Sequence, residues 1–334
     1  MNGMRRRLTG ASTAIGVVLA AVAVAFVGQR LAGDWDEVTD ALGDARPGWI
    51  VAAGVLAAAG MTAIALPWRR ALHLLGGDLD HPGTIARYYL GELGKYLPGG
   101  VWPVVGRGEL ARRGGVARVA AYGSVALSLA ALYLAAMFLA VAGAPFILTS
   151  DRGAGDAGKY LWALALLPVG LALLHHAVLE RVRSLGERVL KRPIAAEIPR
   201  WHQSLALVAC YIPAWLLIGT ATWAVARGFG QDVGWLDVAP AAVLSWIVGF
   251  VLVPVPGGVG VREAAFLAAA GSLDPGVGAA VAVVARILFV LVDVVGALIA
   301  SAWLARHHSH SSSREPDPSA ENVEGVEDVA AVAR

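Results

Sequence analysis

Residues 254–263 interrupt a long apolar segment with two prolines, three glycines and the charged neighbours Arg262 and Glu263. A helix does not continue through such a stretch, because proline removes a backbone donor and glycine lowers helix stability. Broken backbone at membrane depth is tolerated only where it is buried in protein or lines a cavity. Charged side chains inside a membrane usually mark function. The stretch therefore predicts a functional site within a membrane protein.

A similar break occurs in the first half of the chain. Residues 96–109 contain Pro98, Gly99 and Gly100, followed by Arg107 and Glu109. Interrupted hydrophobic segments at corresponding positions of two halves indicate the binding site of a transporter built from an inverted repeat. We place the repeat halves at about residues 49–142 and 205–304.

Composition supports a membrane protein. The 334 residues are 57% hydrophobic and 16% charged, whereas about a quarter of a soluble domain is charged. The single cysteine, Cys210, excludes an internal disulfide and a cysteine-cluster metal site. A phosphate loop with its lysine is missing from the sequence. We therefore expect no metal, no cofactor, no ATP-driven transport and no nucleic-acid partner.

Hydropathy predicts an all-α polytopic membrane protein with about six transmembrane helices. Two further segments, residues 85–106 and 238–271, contain the breaks. Their arms are too short to cross about 30 Å of hydrocarbon at about 1.5 Å per residue. We predict two re-entrant helical hairpins that enter from opposite faces in an inverted-repeat arrangement. The six spans are expected at residues 8–27, 49–66, 120–142, 160–179, 205–226 and 277–304.

Basic residues set the expected orientation. Three arginines precede the first span, and the loop at residues 181–200 is strongly basic. Cytoplasmic loops carry such excesses, so both termini are expected in the cytoplasm, with the chain in the cell (inner) membrane. Residues 1–306 form the predicted membrane domain, and the polar residues 307–334 a disordered cytoplasmic tail. The alanine, valine and arginine bias is typical of a GC-rich bacterial genome.

A second topology stays open for the later break. In that arrangement residues 238–253 cross the membrane completely, and residues 260–271 form a short surface helix. The C-terminus then lies outside if the last helix still spans. The sequence does not decide between this full span and a hairpin arm.

Two motifs carry a family resemblance, at residues 91–100 and 254–263. They resemble the two characteristic segments of the lysylphosphatidylglycerol synthase transmembrane family, a flippase-like domain. The resemblance covers about residues 8–304 and implies a stand-alone membrane domain without the aminoacyl transferase domain of larger members. It also implies translocation of a lipid, without naming which one.

The breaks supply the candidate site for a lipid headgroup. Helix N-termini present free N–H groups and partial positive charge to an anion, and arginine offers a planar fork that matches phosphate. We expect a phosphate near the second break, with Glu263 as the exchangeable partner of the arginine there. No catalytic residue is assigned. The candidate headgroup-binding residues are Gly99, Gly100, Arg107, Gly257, Gly258, Arg262 and Glu263.

Four more charges are expected inside the membrane as supporting residues. Neighbouring residues on a helix do not face each other, so Arg262 and Glu263 are each expected to pair elsewhere. Contacts of Arg262 with Asp293, or of Glu263 with Arg286, are both open. A purely structural ion pair is the competing interpretation. The supporting charges are Glu92, Lys95, Arg286 and Asp293, of which Glu92 and Lys95 are one turn apart.

The leading functional prediction is translocation of an anionic or aminoacylated phospholipid, or of a polyprenyl-phosphate-linked lipid, between leaflets. A transporter is favoured over an enzyme. The alternatives are a membrane-embedded glycosyl or aminoacyl transferase that uses the same carboxylates, and an accessory subunit of a separate synthase or glycosyltransferase. The expected partners are accordingly a membrane lipid and, in the last case, that synthase.

Overall fold

A computed structural model of the chain describes residues 43, 45–96, 101–149, 165–191, 193, 197–251 and 260–312. Within these ranges the regular structure is entirely helical, which confirms the predicted all-α class. The helices are α1 (Pro47–Leu74), α2 (His81–Glu92), a 3₁₀ helix (Leu93–Tyr96), α3 (Trp102–Arg113), α4 (Arg118–Thr149), α5 (Leu166–Leu173), α6 (His176–Leu190), α7 (Trp201–Gly228), α8 (Trp235–Val251), α9 (Val261–Ala269) and α10 (Pro275–Ser312).

Among the described residues, four helices are long and apolar enough to cross a membrane: α1, α4, α7 and α10. They correspond to the second, third, fifth and sixth predicted spans. The first predicted span, residues 8–27, lies outside the described residues. The fourth, at residues 160–179, is described only from residue 165 onward, and its helix is broken at residues 174–175, between α5 and α6. The number of spans and the re-entrant course of the hairpins remain predictions.

Local sequence explains where several helices begin. Pro47 opens α1, where its missing N–H and fixed φ suit the first turn. Asp80 caps α2 by accepting a hydrogen bond from the Gly83 N–H at 3.3 Å. Glu263 closes the start of α9 by accepting one from the Gly260 N–H at 2.7 Å. Gly260 has φ +82°, a conformation that favours glycine.

The core forms where α1 crosses α7. A Cβ on Gly60 of α1 would lie 3.0 Å from Ile218 of α7, so the two backbones approach closely. Small residues permit such approaches between membrane helices. The fully buried side chains of Trp68 and Trp215 fill the space beside this crossing. Helices α2, α4, α8 and α10 pack directly on these two central helices.

Packing in the first four helices is repeated in the last four. Helix α1 packs on α2, α4 and α10, and α7 packs on α8, α10 and α4. Helix α2 packs on α3 and α10, and α8 packs on α9 and α4. Finally, α3 packs on α4 as α9 packs on α10. Exchanging α1–α4 with α7–α10 therefore reproduces the same set of contacts, as an approximate two-fold relation would.

Candidate functional site

The first break lies between two helices that close tightly on each other. A Cβ on Gly91 of α2 would lie 2.4 Å from the Arg107 side chain and 2.8 Å from its backbone nitrogen. Arg107 is 1% exposed, and its guanidinium lies 5.4 Å from the Tyr88 ring centroid. Its Nε also donates to the carbonyl of Pro103 at 3.4 Å. Because Gly91 has no side chain, the first side-chain atoms of Arg107 fit against α2.

The second break has the same construction. A Cβ on Gly249 of α8 would lie 2.2 Å from Cγ of Arg262 on α9. The Arg262 guanidinium lies over the ring of Trp246, 3.7 Å from its centroid. In both helical hairpins, α2 with α3 and α8 with α9, the aromatic residue precedes the glycine by three positions. The arginine comes from the second helix of each hairpin. Helical neighbours at this spacing share a face. The aromatic ring and the glycine therefore form one surface, on which the arginine side chain packs.

Sequence reasoning missed these aromatic–glycine pairs. The signal that would have found them is an aromatic residue three positions before a glycine in the arm that precedes each Pro-Gly-Gly segment. Tyr88 with Gly91 and Trp246 with Gly249 both satisfy it. The candidate residues were chosen mainly from those that follow each break. The surface on which each arginine packs is formed by residues that precede the break.

A buried ion pair joins the first hairpin to the last helix. The Lys95 Nζ lies 2.7 Å from Oδ2 of Asp293 and 3.4 Å from Oε1 of Glu92. The Tyr96 hydroxyl donates to the same Asp293 Oδ2 at 2.6 Å. Asp293 is 0% exposed. Its second oxygen, Oδ1, has no hydrogen-bond partner in the part of the chain that the structure describes.

Trp246 brings the two hairpins together. The Lys95 Nζ lies 6.0 Å from the centroid of the same indole ring on which Arg262 stacks. One cation therefore comes from the first half and one from the second, on a single aromatic ring. We call the four charged residues Glu92, Lys95, Arg262 and Asp293, together with Trp246 and Tyr96, the central cluster.

Glu263 is engaged elsewhere. It forms an ion pair with Arg286 of α10, one of the two contacts that the sequence left open. Asp293 binds Lys95, so the other open contact, with Arg262, is not formed. Among the described residues, no carboxylate forms an ion pair with Arg262. Within the described part of the chain, its guanidinium is therefore held by an aromatic face and not by an ion pair.

A small cavity adjoins this arginine. Its volume is about 30 Å³, and its walls include Arg262, Arg286, Thr222 and Ser245. This is space for about one water molecule with polar partners on several sides. A lipid headgroup does not fit there, so the arginine must be reached from another side or after movement of the hairpin.

The position equivalent to Glu92 is apolar in the second half. Phe250 follows Trp246 by four positions, as Glu92 follows Tyr88. Phe250 stacks on Tyr133 of α4 with ring centroids 3.7 Å apart and an interplanar angle of 17°. Aromatic packing therefore replaces the ion-paired carboxylate. The arrangement of helices is repeated, but an aromatic residue takes the place of this carboxylate.

Glu109 lies apart from Arg107, although both follow the first break. Its carboxylate accepts from Arg112 at 2.8 Å and from Arg113 at 3.1 Å. These hydrogen bonds, with that from Arg112 the larger cause, lower the pKa of Glu109 to about 2. Glu109 is therefore ionised in a surface pair at the end of α3, while Arg107 is buried.

An apolar groove runs beside the central cluster between α1, α2 and α10. Its volume is about 670 Å³. Along α10 it extends from Leu288 to Trp303, about 22 Å at the helical rise per residue. At its inner wall the Tyr89 hydroxyl and Thr62 Oγ1 are hydrogen-bonded at 2.9 Å. Further lining residues include Gly54, Ala58, Ile85, Val292, Gly296 and Ile299.

The four glycines proposed for headgroup binding, Gly99, Gly100, Gly257 and Gly258, lie outside the described residues. The structure therefore describes the arginine and carboxylate side chains of the candidate site but not the backbone of either Pro-Gly-Gly segment. Among the residues it does describe, no three histidine, cysteine, aspartate or glutamate side chains are grouped as metal ligands would be.

Comparison with protein families identifies the chain. The family model described as lysylphosphatidylglycerol synthase TM region matches residues 13–301. Comparison with curated protein sequences finds no match. The family match includes the central cluster, helices α1, α4 and α7, and α10 as far as residue 301. The chain therefore belongs to the lysylphosphatidylglycerol synthase transmembrane-region family.

Proposed function

We propose that this protein moves a lipid with an anionic headgroup, a phospholipid or a polyprenyl-phosphate-linked lipid, between membrane leaflets. Arg262 carries the proposal. It lies on the ring of Trp246 beside other charges of the central cluster, and no acidic residue in the described part of the chain neutralises it. A phosphate would give this guanidinium a direct anionic partner.

A charged side chain at the bilayer centre costs about 2.5 kcal/mol or more on insertion scales. A guanidinium kept there without an acidic partner favours any anion that reaches it. Arginine binds phosphate through two parallel hydrogen bonds, and such charge-assisted bonds are stronger than neutral ones. Stacking on Trp246 holds the guanidinium plane while its edge N–H groups remain the donors.

Arg107 is suited to bind the same headgroup at a second position. It packs at the equivalent position of the first hairpin, on the ring of Tyr88 in place of Trp246. Transporters with inverted repeats bind substrate at the repeat interface and open alternately to the two sides. Two arginines in repeat-related hairpins would therefore receive the headgroup in turn. Arg107 is fully buried, so the first hairpin must open before a phosphate reaches it.

The apolar groove supports a lipid as the cargo. Its walls include α1 and α10, both long enough to span the membrane, and its lining is almost wholly hydrocarbon. A soluble anion would need no such surface. The length of about 22 Å exceeds the roughly 15 Å of one leaflet, half of the hydrocarbon thickness. The groove therefore accommodates a lipid chain that crosses from one leaflet into the other.

Leaflet exchange in proteoliposomes tests the proposal. Purified protein is reconstituted with fluorescent phosphatidylglycerol or a polyprenyl phosphate, and the accessible fraction is followed with a membrane-impermeant quencher. We expect exchange by the wild type and its loss in Arg262→Gln. Arg112→Gln is the matched control, because Arg112 is a half-exposed surface arginine paired with Glu109. Equal exchange by Arg262→Gln and wild type would refute the role of Arg262.

The same vesicles separate the other functions considered. Release of a chemically altered lipid, detected by mass spectrometry, would indicate a transferase. Failure to exchange any headgroup, together with exchange once a separate synthase is added, would indicate an accessory subunit. Exchange by the purified protein without a change in lipid mass is the outcome that the proposal requires.

A further inference from the structure

Asp293 occupies an unusual position in the central cluster. It is fully buried, and both of its described polar contacts, from Lys95 and Tyr96, reach the same oxygen, Oδ2. Oδ1 has no hydrogen-bond partner among the described residues. Buried polar atoms are nearly always paired, and an exception calls for an explanation. An open position on a buried carboxylate is a place where a proton can bind.

The charges of the central cluster cancel in the absence of a ligand. Glu92 and Asp293 are acidic, and Lys95 and Arg262 are basic. The neighbouring Glu263 and Arg286 form a separate neutral pair. An anionic headgroup at Arg262 would leave one net negative charge in a low-dielectric region, which is costly. Uptake of one proton by the cluster would restore neutrality.

We propose that Asp293 takes up a proton when the anionic headgroup binds, so that lipid movement is coupled to proton movement. This inference rests on the proposed function. In the step, a proton from water forms an O–H bond on the Asp293 carboxylate, while Lys95 stays an ammonium group. The ion pair becomes a weaker contact between a cation and a neutral acid. The headgroup and the proton then cross together without net charge.

Burial favours Asp293 over the other acid as the site of proton uptake. Lys95 and Tyr96 face it from the 3₁₀ helix, and Glu92, Tyr88 and Tyr89 lie on α2. Arg262 of α9 lies over the Trp246 ring that Lys95 also approaches. Glu92 is 15% exposed, so water can stabilise its charge, whereas Asp293 is 0% exposed. Asp293 depends on Lys95 and Tyr96 alone.

A sodium ion is a poorer candidate than a proton. The Lys95 ammonium already occupies the position of a cation on Oδ2. A metal ion next to it would face like-charge repulsion, whereas a proton on Oδ1 adds no bulk. Protonation also has a mechanical consequence, because the Lys95–Asp293 pair connects the first hairpin to α10. Weakening it would release the hairpin that must open to expose Arg107.

Proton uptake on binding provides a direct test. Purified protein in weakly buffered detergent solution receives short-chain phosphatidylglycerol, with short-chain phosphatidylcholine as the control lipid, and a pH dye reports protons taken up. We expect about one proton per bound anionic lipid, and an affinity that rises up to about tenfold per unit decrease in pH. Asp293→Asn should bind the lipid without proton uptake. Equal uptake by wild type and Asp293→Asn would overturn the proposal.

Transport in vesicles adds a second readout. An imposed pH gradient should accelerate exchange of the anionic lipid by the wild type, and an equal sodium gradient should not. If Asp293→Asn alone does not fold, the double variant Lys95→Met/Asp293→Asn replaces it, because it keeps the cluster neutral. Lipid exchange by this double variant should be independent of the pH gradient. Wild-type exchange that ignores the gradient would overturn proton coupling while leaving lipid translocation intact. Absence of any exchange would count against translocation itself and therefore against both.

Discussion

The guanidinium of Arg262 lies 3.7 Å from the centroid of the Trp246 ring, on the opposite arm of the same hairpin. This contact holds an arginine that has no acidic ion-pair partner among the described residues. A cation over an aromatic face gains about 0.5–2 kcal/mol, and more when water is excluded. The ring therefore both positions the guanidinium and offsets part of the cost of its charge.

Replacing that ring tests its role. Trp246→Leu should lower the melting temperature and slow lipid exchange, because the guanidinium loses its aromatic face. Trp246→Phe retains a smaller face and should fall between Trp246→Leu and wild type in both measurements. If Phe and Leu behave alike, the contribution is one of volume rather than of the π-face.

A double-mutant cycle on Lys95 and Asp293 measures their coupling. Removing one partner of a buried ion pair costs about 3–5 kcal/mol, because the other charge stays buried without compensation. Lys95→Met and Asp293→Asn should each lower the thermal stability in detergent, and the double variant should be more stable than either. If the two single effects simply add, the groups are not coupled in the folded protein.

Gly91 should tolerate no side chain. A Cβ there would lie 2.8 Å from the backbone nitrogen of Arg107, so Gly91→Ala should push the arms of the first hairpin apart. Overpacking of this kind costs about 1–3 kcal/mol. Gly54→Ala is the matched control, because its nearest neighbour would be a Leu288 methyl group at 3.9 Å. That variant should be neutral or more stable, since alanine favours helix by up to about 1 kcal/mol.

Filling the apolar groove should slow exchange of a lipid that uses it. Ala58 of α1 lines the groove, and the next residue, Ala59, is exposed on another face of the same helix. Ala58→Leu should reduce the exchange rate several-fold, while Ala59→Leu should leave it unchanged at similar helix stability. An equal rate in both variants would show that the lipid chain travels by another route.

The breaks, the helical class and the family were accessible from the sequence because their causes are local. Clustered prolines and glycines disfavour a helix through local backbone effects, and apolar length alone identifies a span. The α1, α4, α7 and α10 helices appear where hydropathy predicts them, although α1 continues eight residues beyond the predicted end, to Leu74. Its Pro67, Trp68, Arg69 and Arg70 remain helical.

Pairing of the charges was decided only by the tertiary structure. The sequence offered Arg262 with Asp293 and Glu263 with Arg286 on equal terms, and the second pair is the one formed. Lys95 reaches Asp293 across almost two hundred residues because α2 and the 3₁₀ helix pack on α10. The register between such helices depends on small contacts, such as the Tyr89 ring against Gly296. A one-dimensional pattern of charge does not contain that register.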